Sequence, residues 1–181
     1  MWEVVNDWTA TLLLYNEEVD IIKLKILCFD SSTKSTGWSL FINGELIKYG
    51  LIDLSQNKDL ESRIYQMLLE IFKIINETNP NIVVTEMTVV TRNAQTQRNL
   101  TMILGAIYGK CIVDNISYHS FRPAEWRKLI SSEKKPRKRD ELKLWSKEQC
   151  ESLYGISDIN DDISDAILLG QAYINKFISV N

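Results

Sequence analysis

Histidine occurs once in these 181 residues, cysteine and proline three times each and glycine seven times. Each scarcity removes a class of protein. So little glycine and proline, beside 45% apolar and 25% charged residues, puts the chain among globular sequences and outside collagenous or disordered ones. Cys28, Cys111 and Cys150 form neither a CxxC pair nor a Cys/His ligand spacing, so buried, reduced thiols are expected instead of disulfides or structural zinc. No stretch approaches the roughly 18 apolar residues of a membrane span, because the densest runs, such as residues 12–15, are broken by charge within a few positions. Glu3 and Asp7 stand where a secretory leader would carry positive charge. A cytoplasmic location with no membrane partner is therefore expected. The single histidine, His119, is left out of the chemistry, since a lone histidine is more often a surface or satisfied residue than a base.

Net charge is small overall, but the charges are not evenly spread. The chain carries a net charge of −3, yet residues 118–147 hold ten basic residues against four acids, a local excess of +6. A basic surface on an acidic protein points to a polyanion held at one place. The same clustering is the electrostatic footprint of nucleic-acid binding.

Hydrophobic periodicity sets the organisation. Residues 26–29 form a continuous apolar run of the kind that makes a buried strand, ending at Asp30. Residues 38–42 and 45–52 follow as two strands joined by Asn43-Gly44, the pair best suited to the positive φ angles of a tight hairpin. Leu60, Ile64, Met67, Leu68, Ile71, Ile74 and Ile75 then recur at helical spacing, and Asn79-Pro80 stops that helix. A second buried strand, residues 82–85, ends at Glu86. Beyond it come a helix over 93–111, in which Gly105 and Gly109 would let another element approach, a strand over 116–120, a short helix over 122–130, a loop over 134–139, and two more helices. The last helix covers 161–177 with Ile163, Ala166, Ile167, Gly170 and Ile174 inward. The class is α/β, a mixed sheet flanked by helices. Residues 1–25, with five acids, Trp2 and Trp8, stand apart as an N-terminal extension: a short helix, an extra strand, a partner-binding arm or an appendage.

Two strand-end carboxylates, Asp30 and Glu86, would leave the same sheet edge if their strands are parallel neighbours. Asp162 and Asp165, three residues apart on the last helix, share one face at the border of its apolar arc. Four converging carboxylates repel one another and raise their pKa values unless something cationic compensates. Hard divalent ions with oxygen ligands do so, and a pair about 3.5–4 Å apart generates hydroxide from bound water and stabilises the leaving oxygen of a phosphodiester. That chemistry is a metal-dependent nuclease. Taken singly, each acid is also explained by a turn or by a helix dipole. Asp161 points some 100° from its neighbour at about 100° per residue and reads as a supporting or capping residue.

The same residues, in order, resemble the RuvC family of Holliday-junction resolvases within the ribonuclease H-like superfamily, especially its phage-type branch. The first motif is FDSSTKSTGW, residues 29–38, with Ser31-Ser32 where the family has Pro-Gly. The second is VVTEMTVVTRNAQTQRNLTMILGAIYG, carrying Glu86, Arg92, Asn93, Gly105 and Gly109, and the last is Asp162-Ile163-Ser164-Asp165-Ala166. The resemblance makes residues 26–181 the nuclease domain and implies a five-stranded mixed sheet and a homodimer that nicks a four-way DNA junction symmetrically. It makes Asp30, Glu86, Asp162 and Asp165 the catalytic ligands of Mg2+ or Mn2+, two ions per site, with hydrolysis leaving 5′-phosphates. It also carries Arg92 into the DNA-binding set and makes Arg127 and Lys138 the equivalents of family residues touching the scissile-side phosphates. Lys128, Lys134, Lys135, Arg137 and Arg139 join them as a backbone-phosphate patch, giving affinity without sequence information. The aromatic wedge of bacterial members has no counterpart, Val89 and Val90 filling that region.

Three other readings stay open on sequence. A ribonuclease H-like nuclease on RNA/DNA hybrid, processed RNA or another branched DNA would need the same acids. The Asp-Ser-Ser-Thr turn also resembles the phosphate loop of actin-like kinases and ATPases, which need two such domains and no DxxD. A non-catalytic DNA-binding module on the same fold would not need all four acids.

Overall fold

In the computed structural model, which describes residues 23–88, 93–133 and 135–178, the buried run predicted at the start of the domain becomes the axis of the sheet. Strand β1 (Lys25–Ser31) has β2 (Ser35–Ile42) antiparallel on one side and β4 (Ile82–Glu86) parallel on the other. Outside these lie β3 (Glu45–Asp53), antiparallel to β2, and β5 (Ser117–Phe121), parallel to β4, giving the order β3-β2-β1-β4-β5. Ile26, Leu27, Cys28 and Phe29 are fully buried, as a central strand covered on both faces requires. The β2–β3 connection is the two-residue Asn43-Gly44 turn, both with positive φ, 53° and 88°.

Helices cover both faces. On one lie α1 (Leu60–Thr78) and α2 (Ala94–Val113), whose Ile64, Met67, Ile71, Ile75, Ile103 and Ile107 pack on Leu27, Phe29 and Val83. Helix α1 starts where Asp59 accepts from the Ser62 amide and stops at Asn79, whose left-handed φ of 45° turns the chain ahead of Pro80. On the opposite face lie α3 (Pro123–Ile130), α4 (Arg139–Tyr154) and α5 (Asp161–Phe177), whose Trp126, Trp145, Ile167 and Leu168 close a second core with Ile26, Cys28 and Val84. Alternation along β1 thus feeds two cores from one strand. The five-stranded mixed sheet matches expectation, while the predicted loop over 134–139 ends sooner, because α4 begins at Arg139.

One packing expectation is corrected. Among the described residues a Cβ on Gly105 or Gly109 would meet nothing within 4 Å, so neither glycine admits a neighbouring element of that part of the chain. Close approach belongs instead to Gly170, where a Cβ would lie 2.2 Å from the Phe41 ring, and to Gly37. Spacing on α2 could not reveal this, since two glycines one turn apart look alike on an inner and an outer face. Among the described residues no helix is long and apolar enough to cross a membrane. The expected N-terminal extension lies outside the described residues over 1–22.

Candidate active site

The parallel register of β1 and β4 sets Phe29 opposite Thr85, so the next residues, Asp30 and Glu86, leave the sheet side by side. Across the antiparallel pair, Asp30 faces Gly37 of β2. A Cβ on Gly37 would lie 1.9 Å from the Asp162 carbonyl oxygen and 2.6 Å from the Ile163 amide nitrogen. Only a residue without a side chain lets the first turn of α5 settle there. That settling brings Asp162 and Asp165 over Asp30. The helix start is itself fixed by Asn160, whose side chain accepts from the Asp162 amide at 2.7 Å. Asp30, Glu86, Asp162 and Asp165, the four acids expected from sequence, line one cavity of about 250 Å³.

The cavity is electrostatically crowded. Burial pushes the Asp30 carboxyl well above the usual carboxylate range, and the charges of Glu86, Asp165 and Asp162 push it further, against Arg127. Burial likewise raises Glu86, Asp162 and Asp165, opposed chiefly by hydrogen bonds from Trp126, Ser35 and Ser146 respectively. All four shifts have the sign of a like-charge cluster withdrawn from water. Cations relieve part of it. The Arg127 guanidinium lies 3.9 Å from Glu86 Oε2 and 3.8 Å from Asp165 Oδ2. Lys143 bonds Asp161 at 2.5 Å. Burial pushes Asp161 up, but the Lys143 hydrogen bond and charge outweigh it and hold that carboxyl low. Asp161 is thus the neutralised acid of the cavity wall. The capping role expected for it belongs to Asn160.

The donor set fits a hard divalent cation. It consists of carboxylate oxygens, the raised acids disfavour their own charge, and Asp165 Oδ1 is buried without a hydrogen-bond partner. Among the described residues, three or more acidic, histidine or cysteine side chains do not close around a common point at metal-ligand spacing. The internal cation Arg127 spans Glu86 and Asp165, and Asp162 accepts from the Ser35 hydroxyl.

The basic residues expected to form one phosphate patch are dispersed. Arg127 enters the acid cavity instead of facing outward, with Arg139 and Lys143 also on its wall. Lys138, expected beside Arg127, is 82% exposed at its side chain and pairs with Glu141. Lys135 is turned inward, donating to the Ser131 and Glu133 carbonyls at 2.5 and 2.6 Å with its ammonium 5.5 Å from the Trp145 ring centroid. Lys128 and Arg137 are exposed. Arg92 and Lys134 lie outside the described residues, as do Val89 and Val90. His119 is a half-buried member of an aromatic cluster with Phe121, Tyr173 and Phe177, not a surface residue.

Three site residues went unnoticed in sequence. Lys143 is counted there only as charge. Ser35 lies in the Ser/Thr-rich turn after Asp30, a cue too common to single it out. Trp126 carries a weak signal, because a buried indole N–H needs an acceptor, but nothing in the sequence says which.

Comparison with known proteins fits this geometry. The family model for crossover junction endodeoxyribonuclease RuvC matches residues 26–170. The crossover junction endodeoxyribonuclease RuvC of Caldicellulosiruptor saccharolyticus is 26% identical over 164 residues, 87% of this chain and 96% of that protein. In fold, the chain is similar to Thermus thermophilus RuvC, solved in complex with Holliday junction substrate, with TM-score 0.66 and 11% identity over 84% of this chain and 93% of the other. It is similar also to the fowlpox virus resolvase, solved with substrate Holliday junction DNA, with TM-score 0.60 and 14% identity over 86% and 100%. With the four acids in motif order around one cavity and the family model matching most of the chain, the chain belongs to the crossover junction endodeoxyribonuclease RuvC family of metal-dependent nucleases.

Proposed function

We propose that this protein is a structure-specific endonuclease that resolves four-way DNA junctions by paired phosphodiester hydrolysis, with residues 26–181 as its nuclease domain. The observation that carries the reading is the convergence of Asp30, Glu86, Asp162 and Asp165, from two strand ends and one helix start, in a single cavity walled by Arg139 and Lys143. Those four carboxylates would hold magnesium or manganese, two ions per site. Metal bound there supplies an activated water and stabilises charge on the leaving oxygen. The chain's own groups do the rest. All four acids, destabilised as anions by burial, gain from a bound cation. Arg139 and Lys143 bear on a phosphate entering the cavity, while exposed Lys128, Arg137 and Lys138 would track backbone farther out. Arg92 and Lys134 belong to the same proposed surface. Lys135, tied to its own loop, contributes least.

Paired cleavage asks for two sites, hence a homodimer. The outer face of α2 supports that reading: Met102, Ile112 and Val113 are exposed by 56%, 63% and 82%, and at helical spacing they share an arc with the open Gly105 and Gly109.

The test is incubation of the purified protein with synthetic four-way junctions, Y-forks and RNA/DNA hybrids, in magnesium or manganese against chelator. Symmetric nicks bearing 5′-phosphates on the junction alone are the expected result. Preferential cleavage of hybrids would make it a ribonuclease H-like enzyme of another substrate, and binding without cleavage would reduce it to a DNA-binding module. Sedimentation with only monomer, with and without junction, would remove the dimer.

A further inference from the structure

Glu86 is held from outside the acid cavity by a residue that carries no charge. Trp126, on α3, is fully buried, and its indole Nε1 donates to Glu86 Oε2 at 2.5 Å. The same oxygen faces the Arg127 guanidinium at 3.9 Å, and that guanidinium is itself stacked on the Trp126 ring, 4.6 Å from its centroid. Trp145 of α4, 6.3 Å away ring to ring, also packs against Trp126. The contacts are therefore asymmetric: Oε2 is engaged, and the other carboxylate oxygen is left to the cavity that Glu86 lines.

We infer that Trp126 is the positioning residue for Glu86, fixing the carboxylate so that one oxygen is committed to the protein and the other is presented to a divalent ion. The indole suits this task for two physical reasons. It is a donor only, so it cannot swap roles with the carboxylate as a hydroxyl or amide would. It is also neutral, so it orients the anion without cancelling the charge that attracts a cation, whereas Arg127 competes for that charge. Partners of this kind commonly govern metal affinity by about 10–100-fold. Burial against Trp145 and Arg127 holds the ring, which makes the direction of the N–H a property of the core.

The inference rests on the metal-ligand reading of Glu86, and the experiment separates the two. Manganese binding to the full chain is measured by calorimetry in the wild type, Trp126→Phe and Trp145→Phe, with folding followed by thermal unfolding and junction binding measured in chelator. Phenylalanine keeps most of the apolar volume and removes the donor. The expected result is a tenfold or greater loss of manganese affinity in Trp126→Phe, junction binding retained in chelator, and near wild-type affinity in Trp145→Phe, which disturbs the same cluster without touching Glu86. Unchanged affinity in Trp126→Phe, or equal losses in both variants, would overturn the positioning role. Wild-type protein that binds no manganese would overturn the metal reading itself and the inference with it. A second measurement does not depend on either variant folding: in 15N-labelled protein, the indole resonance displaced by Glu86→Gln should also shift and saturate as magnesium is added. An indole set indifferent to magnesium in a protein that binds it would sink the proposal.

Discussion

In the acid cavity every carboxylate is delivered by the end of a regular element, whereas in the basic stretch between β5 and α5 the cations ride on long side chains that part company. Asp30 and Glu86 end paired strands, and Asp162 and Asp165 occupy the first turns of a helix seated on Gly37. Backbone hydrogen bonds therefore set their relative positions before any side chain chooses a rotamer. Arg127, Lys135, Lys138 and Lys143 each span several rotatable bonds and find four different partners. Short acids at element ends converge because the fold leaves them no alternative, while flexible cations settle wherever a local acceptor lies. A local excess of +6 is accordingly a statement about attraction to polyanions and not about which lysine touches what.

The sharpest way to test that contrast is to remove one member from each region. Asp30→Asn keeps shape and removes charge, so cleavage of a four-way junction should fall on the order of 10³-fold, the scale for losing a group that stabilises developing charge. Junction affinity measured in chelator should stay unchanged. Wild-type nicking rates from this variant would exclude the cavity as the catalytic site. Gly37→Ala comes next and acts through geometry alone. Its methyl meets the Asp162 carbonyl, a backbone atom with nowhere to go, so urea unfolding should show a loss of about 1–3 kcal/mol, with cleavage falling alongside. A variant of full stability and activity would mean that α5 slides freely on β2, and the argument from backbone delivery would fail.

That glycine also marks how far the sequence was legible. Strand ends, the Asn43-Gly44 hairpin and the span of α5 follow from periodicity and turn chemistry, which are local. The DxxD face follows from helical spacing. What Gly37 makes room for is not local, since its partner lies 125 residues on at Asp162, and sequence adjacency carries no trace of it. The same holds for Trp126 on Glu86 and for Arg127 inside the cavity, while Gly105 and Gly109 mislead in the opposite direction because spacing alone cannot tell a helix's inner face from its outer one.

Smaller effects divide the basic residues. Arg127→Ala removes the guanidinium between two crowded carboxylates, so the protein in chelator should lose about 1–3 kcal/mol. Manganese should restore more stability to this variant than to the wild type, and equal restoration in both would mean that Arg127 does not offset acid repulsion. Arg137→Ala or Lys138→Ala should weaken junction binding and lower the slope of log affinity against log salt by about one each. Lys135→Ala should leave that slope alone and cost only the order of 0.5 kcal/mol of its aromatic contact. A salt slope that responds equally to all three would mean the inward turn of Lys135 does not persist in solution.

The smallest effect concerns His119, which is neither a cavity acid nor one of the basic residues and is useful for that reason. Burial lowers its pKa, Lys176 lowers it further, and Glu125 acts in the opposite sense. Its Nε2 is buried without a partner among Phe121, Tyr173 and Phe177. The folded protein therefore binds this proton less readily than the unfolded chain does, so stability is fully present above the unfolded value of about 6.5 and declines as pH falls through it toward the folded pKa. The cavity acids, with raised values, contribute the opposite slope, but they are common to the wild type and His119→Phe. The difference between the two melting curves from pH 7.5 to 5 isolates the histidine. His119→Phe should lose less thermal stability on acidification than the wild type, by a few degrees at most. Curves that stay parallel across that range would show that the imidazole takes up its proton in place, with the aromatic cluster opening to water at no measurable cost.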